Sequence, residues 1–512
     1  MKTSIVAAAV LSLWLGIAAA PNEAGAQPAA PPVGAAAAPP PVVIYTKDNA
    51  PAAPKVEDLA LKDSVSQHGV TWTFDKPVRV GQFVSGDSYV VGPVTVKSVS
   101  PAPLWNEEVK DPTPYEVKGW KDRYARNGST LNLPVAGWPG FDSRTQGHRY
   151  DPNRFARFPL AMKPGDALVS TISLSDTNVQ NRMLGPSDHK SVTAIRIAAV
   201  LTCLANPAPA DAFRPSYCDR GQTLYLARNL KRDLLPKLAA VKSAPKPEEF
   251  AKVFERPWID TVFFGFSAPS ENMPQYGREV ARAAGMGTLL LCCDFEPARK
   301  EKLLLGIAQA GVDYWGLLQA GHPGWPAYGG HGSGRKWILV FTGIVLGEAD
   351  MQNPYAKHPA AKFGEDMHTI YGQGWTGATA LYAGHLGKEG SKNNKGWGAY
   401  EHLPPAQWED RIGEGYRYCC TSVAWVGEGL AIRLLRAEKI WDHDAFLDYC
   451  DRWMNEDATE FAAKIKEAKG WDFTGSSQRK TWDKFVDEMW AQYRATNPAP
   501  ADGWKKPHPP TP

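Results

Sequence analysis

Two periodicities divide this chain. From about residue 64 to 200, apolar and polar positions alternate over short runs: 69–75 (GVTWTFD), 78–87, 88–101, 166–174 and 191–204. Period two, bounded by Pro, Gly and Asp, predicts β-strands, with Ser85-Gly86-Asp87 as a turn between two of them. Residues 104–160 carry no such pattern and predict loop, with 127–144 irregular. Beyond about residue 222 the apolar spacing changes to three and four. Segments 224–241, 275–293, 299–321, 334–350, 421–440, 442–456 and 481–496 each predict a helix. Several of these are apolar on most faces, as in helices buried within a layer. No short repeat period runs through them, which excludes tetratricopeptide, HEAT and ankyrin arrays. The expected fold class is α+β multidomain. An N-terminal antiparallel β domain (58–205) precedes a mainly helical, (α/α)-toroid-like domain (206–498).

The chain ends read differently. Met1 and Lys2 precede an apolar run, and Ala24-Gly25-Ala26 supplies an A-x-A cleavage pattern, so 1–26 is expected to be a secretory signal peptide. No cysteine follows that point to carry a lipid anchor. Residues 27–57 are Pro/Ala-rich and read as a disordered tether, and 499–512 as a disordered tail. No later segment has the apolar length of a membrane span, so no membrane insertion is expected. The chain is expected to be exported, to a periplasm or beyond the cell.

Composition narrows the chemistry. A net charge of +3 is too mild for nucleic-acid binding and is compatible with an acidic polysaccharide. The seven cysteines include two adjacent pairs, Cys292–Cys293 and Cys419–Cys420. Cys203 and Cys218 bracket a Pro-rich loop that a disulfide can close in an oxidising compartment. No Cys/His spacing resembles a zinc site, and no calcium loop, H-E-x-x-H, phosphate loop or G-x-S-x-G is present. Neither metal nor cofactor is expected.

The richest stretch is 321–425. Of the chain's 19 tryptophans, Trp325, Trp337, Trp375, Trp397, Trp408 and Trp425 fall there, interleaved with glycine, histidine and arginine. Glycine lets backbone approach a ligand, and flat aromatic faces with polar edges suit a sugar ring. Trp375, Trp397, Trp408 and Trp425 are the stacking candidates; glycine neighbours favour exposure of Trp375 (GQGWTG) and Trp397 (KGWGAY), whereas Trp425 lies in a helical pattern and reads as core. An exported chain with a β region and this aromatic-rich helical region resembles polysaccharide lyases of the alginate/heparinase-like type. It is also similar to six-hairpin glycoside hydrolases. The resemblance is one of architecture and implies a toroidal groove that takes a polysaccharide.

Side-chain chemistry supplies the candidate roles. A lyase acting on a uronate must neutralise the sugar carboxylate, take the C5 proton and protonate the leaving oxygen. His331 or His402 is the expected base, Tyr416 or Tyr371 the acid, and Arg335 with Asn394 the carboxylate clamp. His368, Trp375 and Trp397 are expected to contact substrate. Each also has a plainer reading: a loop histidine bonded locally, a half-buried tyrosine, an arginine paired with a helix carboxylate. A glycoside hydrolase would need paired acids instead, drawn from Glu365, Asp366, Glu409, Asp410, Glu414 and Glu428. A third reading is a non-catalytic glycan-binding envelope protein, which needs the tryptophans but no convergence of histidine and tyrosine.

Overall fold

The computed structural model describes residues 42–106, 108, 123–135, 137–144, 150–174, 193–262, 267–390, 397–473 and 479–495. The expected signal peptide, residues 27–41 of the expected tether, the C-terminal tail and Asn394 lie outside these residues. The fold is a mixture of strands and helices.

The strands β1 (Ala60–Gln67), β2 (Val70–Gln82), β3 (Ser88–Val91), β4 (Val94–Ser100), β5 (Ser129–Leu131), β6 (Leu160–Met162), β7 (Ala167–Ser173) and β8 (Ile195–Leu204) form one eight-stranded sheet. Its order is β5-β7-β8-β3-β2-β4-β6, with β1 on the other edge of β2. All pairings are antiparallel except β8 with β3. The expected turn at Ser85-Gly86-Asp87 joins β2 to β3. One face buries Val70, Trp72, Phe74, Val96, Leu168 and Leu201 against one another. The alternate residues of β7 and β8, Val169, Ala198 and Val200, belong to a larger cluster shared with the helices. That double burial explains the nearly continuous apolar run of β8.

The longer helices are α1 (Gly277–Cys292), α2 (Pro297–Gln319), α3 (Arg335–Leu346), α4 (Ser422–Leu434), α5 (Asp444–Asn455), α6 (Thr459–Lys469) and α7 (Lys484–Tyr493). Every residue of α1, α3 and α4 is buried, so these helices form the interior of the helical layer. α1 and α4 meet closely at Gly285 and Gly427: a Cβ on Gly285 would stand 2.8 Å from the Gly427 carbonyl carbon. Backbone-to-backbone approach of this kind leaves no room for a side chain. Arg214 links sheet to helices, its buried guanidinium bonding Asp87 at the β2–β3 turn (2.7 Å) and Asp313 on α2 (2.6 Å). Among the described residues no helix is long and apolar enough to cross a membrane.

One expected helix is absent. Residues 224–241 form two short 3₁₀ turns, Ala227–Asn229 and Arg232–Leu234, rather than an α-helix. Pro236 biases Leu235 toward extended backbone, as observed (φ −75°, ψ 124°). The segment also spends its donors elsewhere: Lys231 N–H bonds Val345 O in the last turn of α3 (2.7 Å), and Leu238 N–H bonds Cys292 O at the end of α1 (3.0 Å). It caps helix C-termini whose carbonyls have no partner within their own helix.

Gly285→Val forces α1 and α4 apart. Denaturant unfolding should show a loss of about 3 kcal/mol, the range of overpacked cores. An unchanged midpoint would mean that the two helices are not in backbone contact.

Candidate functional site

The segment Tyr328–Gly334 (YGGHGSG) leads into α3 and is pressed between two other backbones. A Cβ on Gly330 would lie 2.2 Å from Cys420 O and 2.9 Å from Tyr276 Oη. Gly329 has φ +54° and sits against Tyr416, whose ring a Cβ would meet at 2.3 Å. Only glycine fits both positions, because any side chain would meet either main chain or an aromatic ring. Hydrogen bonds complete the seat: Gly330 N–H to Tyr276 Oη (3.1 Å) and Gly329 N–H to His385 O (2.8 Å).

This packing gathers an aromatic and imidazole cluster. The His331 ring meets Tyr276 edge-on at 4.5 Å, and Tyr328 lies 6.1 Å from it. His385 contacts Tyr328 (4.8 Å), Tyr416 (4.2 Å) and Trp397 (4.8 Å). Tyr328 is 37% exposed and His331, Tyr416 and Trp397 are half-buried, so the cluster opens to solvent while His385 and Tyr276 form its floor. Beneath it lies His368, its Nε2 3.2 Å from His385 O and its Nδ1 2.8 Å from Gly364 O. Burial pushes the His368 pKa down to about 4. Burial, aided by neighbouring His368, takes His385 down to about 3, so both rings are neutral near pH 7. Burial raises the Tyr416 hydroxyl above its ordinary value, which keeps it protonated and able to donate.

Of the residues expected from sequence, His331, Tyr416 and Trp397 come together here, with His368 underneath. The others do not join them. Arg335 is buried and holds Asp260 (Nε to Oδ2, 2.8 Å), while its Nη1 donates to His331 O (2.8 Å) and Ser333 O (2.9 Å). Its charge is used internally, and it shapes the His331 segment from behind instead of reaching a ligand. Tyr371 donates to Asp448 (2.7 Å) and lines a different cavity, with His443, Lys388 and Lys439. His402 is exposed on the segment after Glu401. Trp375 packs against Trp408 (6.1 Å) and Phe461 (5.5 Å), a packing role rather than a free stacking face. Three cluster residues escaped the sequence reading: Tyr276, Tyr328 and His385. A signal existed for His385, since Gly-His recurs at 147–148, 321–322, 330–331 and 384–385.

Five of the six acids weighed for hydrolysis are paired, capping or buried. Glu414 pairs with Arg417 (3.0 Å), and Asp366 with Lys336 (2.8 Å). Asp410 accepts from Ile412 N–H at a helix start (2.9 Å). Glu365 and Glu428 are fully buried; Glu365 accepts from Gly334 N–H, and burial raises its pKa to about 7. Glu428 is raised further by burial and by the nearby Glu365.

The expected Cys203–Cys218 bridge does not form. Cys203 sits in β8 and Cys218 donates to Leu133 O (3.5 Å), each a buried free thiol. The disulfide joins Cys419 to Cys420, inside a single π-helical turn (Arg417–Thr421) between Tyr416 and α4. Among the described residues no group of His, Cys, Asp and Glu is arranged to hold a metal ion.

Glu365 gives a pH test. Its folded pKa lies above the unfolded carboxylate value of 4.5, so its contribution is full below that value and is lost as pH rises through about 7. The neutral Glu365→Gln keeps an acceptor for Gly334 N–H. Relative to wild type it should gain about 3 kcal/mol between pH 4 and 8 in denaturant unfolding. Parallel pH curves for the two proteins would show that Glu365 ionises in the fold as it does unfolded.

Comparison with family models, curated proteins and solved structures finds no match for this chain.

Proposed function

We propose that this is an exported enzyme that cleaves a uronic-acid-containing polysaccharide by β-elimination, at the cluster of Tyr328, His331, His385, Trp397 and Tyr416. One observation carries the reading: histidine and tyrosine, the acid–base groups that elimination needs, converge at an opening beside an aromatic platform. His331 takes the C5 proton and Tyr416 returns a proton to the leaving oxygen. Trp397 and Tyr328 offer faces for the sugar, and neutral His385 holds Tyr416 in place. Arg335, bound to Asp260, acts through the carbonyl of His331. Asn394, close before Trp397 in the chain, is the proposed partner of the sugar carboxylate. The buried helices α1, α3 and α4 would be the inner helices of a toroid-like frame. Elimination is preferred to hydrolysis because Glu365, Asp366, Glu414 and Glu428 are buried, and Asp366 and Glu414 are in ion pairs besides. The leader-like N-terminus and the Cys419–Cys420 disulfide support export, since disulfides persist in oxidising compartments.

The test is ultraviolet absorbance of the mature protein with a panel of uronate polymers, where each cleavage creates an unsaturated uronate. His331→Ala and Tyr416→Phe should each lower kcat by about 100-fold or more. His402→Ala and Tyr371→Phe should stay within about twofold, as expected for groups outside the site. New reducing ends without absorbance would replace elimination by hydrolysis. Binding without either signal would make this a glycan-binding protein.

A further inference from the structure

The Cys419–Cys420 disulfide remains unused by the chemistry above, yet it is built into the wall of the same site. A bond between neighbouring residues closes a small ring through their own peptide. Such a cross-link removes almost no chain entropy from the unfolded state, so global stability does not explain it. Its effect is local: it fixes the backbone of the turn that contains it.

That turn touches the cluster at several points. Its first residue follows Tyr416 directly, and Thr421 Oγ1 donates back to Tyr416 O (2.9 Å). Cys420 O lies against Gly330, where a Cβ would stand 2.2 Å away. Cys419 O accepts from Arg278 Nη1 (2.8 Å), and the buried Arg278 guanidinium lies 4.0 Å from the Trp482 ring. Arg278 also faces Tyr276 (5.3 Å), the ring that seats His331. Both carbonyls of the disulfide pair are thus fixed contacts, one against the His331 segment and one on the arginine beside Tyr276. π-Helical turns interrupt the regular hydrogen-bond ladder and recur at functional sites. Here the interruption sets where Tyr416 stands relative to Gly329 and His385. Cys419 is exposed, so a soluble thiol can reach the bond, whereas Cys203, Cys218, Cys292, Cys293 and Cys450 are buried.

We propose that the Cys419–Cys420 disulfide is the positioning element of the site, holding Tyr416 and the His331 segment in register, and that a dithiol reversibly disengages it. In that step the dithiol is oxidised: its thiolates attack, the Cys419–Cys420 S–S bond breaks, and the reagent closes its own disulfide. The two electrons and two protons it gives up appear as the Cys419 and Cys420 thiols. The catalytic part of this inference rests on the elimination reading; the positioning part does not.

The experiment uses the whole folded protein, treated with dithiothreitol under native conditions, alkylated and mapped by mass spectrometry, with hydrogen exchange followed in parallel. Alkylation should appear at Cys419 and Cys420 only after reduction. Exchange should rise in 328–334 and 416–421 while the sheet, β1 to β8, stays unchanged. On a cleaved polymer, reduction should lower kcat by about 100-fold with little change in KM, and reoxidation should restore it, as for a displacement of about 1 Å at a reacting group. Cys419→Ser/Cys420→Ser should match the reduced state and be insensitive to dithiothreitol. Free thiols at both positions in the untreated protein would overturn the proposal. So would unchanged exchange in 328–334 after reduction, whether or not any polymer is cleaved. If no polymer is cleaved but exchange rises as described, the positioning role stands and the elimination reading falls.

Discussion

The close passage of three backbones at Gly330 is the constraint on which this site depends. The main chain of Tyr328–Gly334 runs between the start of α1 and the π-helical turn before α4, and Gly277, at the N-terminus of α1, has no room for a Cβ beside the His331 carbonyl (2.2 Å). Steric exclusion of this sort is stiff, because protein interiors are packed as densely as organic crystals. Tyr276, His331, Tyr416 and His385 therefore have defined positions before any ligand arrives. The register of α1 with α4, set at Gly285 and Gly427, carries those positions into the core.

A second feature lies behind the cluster. Arg452 holds Glu401 through Nη1 and Nη2 (2.8 and 2.9 Å) and Glu456 through Nε (3.0 Å), while Arg417 joins Glu414, Glu401 and Glu456. All five are buried. Buried ion pairs add little net stability over apolar packing, since desolvation opposes attraction, but removing one partner strands a charge. The network therefore specifies arrangement more than it stabilises. It turns Glu401, Glu414, Arg417, Arg452 and Glu456 inward, toward one another.

Much of the architecture was legible in the chain, and the reasons are local. β2, β7 and β8 follow alternation or β-branched runs that no tertiary contact reverses. α1, α2, α3 and α4 begin and end within a few residues of their periodic segments. The failure at 224–241 came from a pattern that periodicity alone cannot resolve: apolar residues at helical spacing were serving as a cap for α1 and α3, with Pro236 as the warning. At the site, residue type was legible and partnership was not. Nothing near Arg335 in sequence announces Asp260, and nothing near Tyr371 announces Asp448. Trp375 has glycine neighbours that favour exposure, yet Trp408 and Phe461 cover it. His385 is not singled out by the sequence, because one Gly-His pair says little until the fold brings it beside another. The loop between Cys203 and Cys218 suits a bridge in sequence, whereas the bond forms between the neighbours Cys419 and Cys420.

A ligand bound at the His331–His385–Tyr416 cluster must perturb the imidazole rings that form it. Histidine ring proton resonances, followed by NMR while an oligouronate is added, test such binding most directly, because the chain's histidines are distributed between this cluster and distant sites. His331 and His385 should shift with saturation, while His68 and His402 do not move. Saturable shifts confined to His402 or His443, with His331 and His385 unmoved, would contradict binding at the cluster.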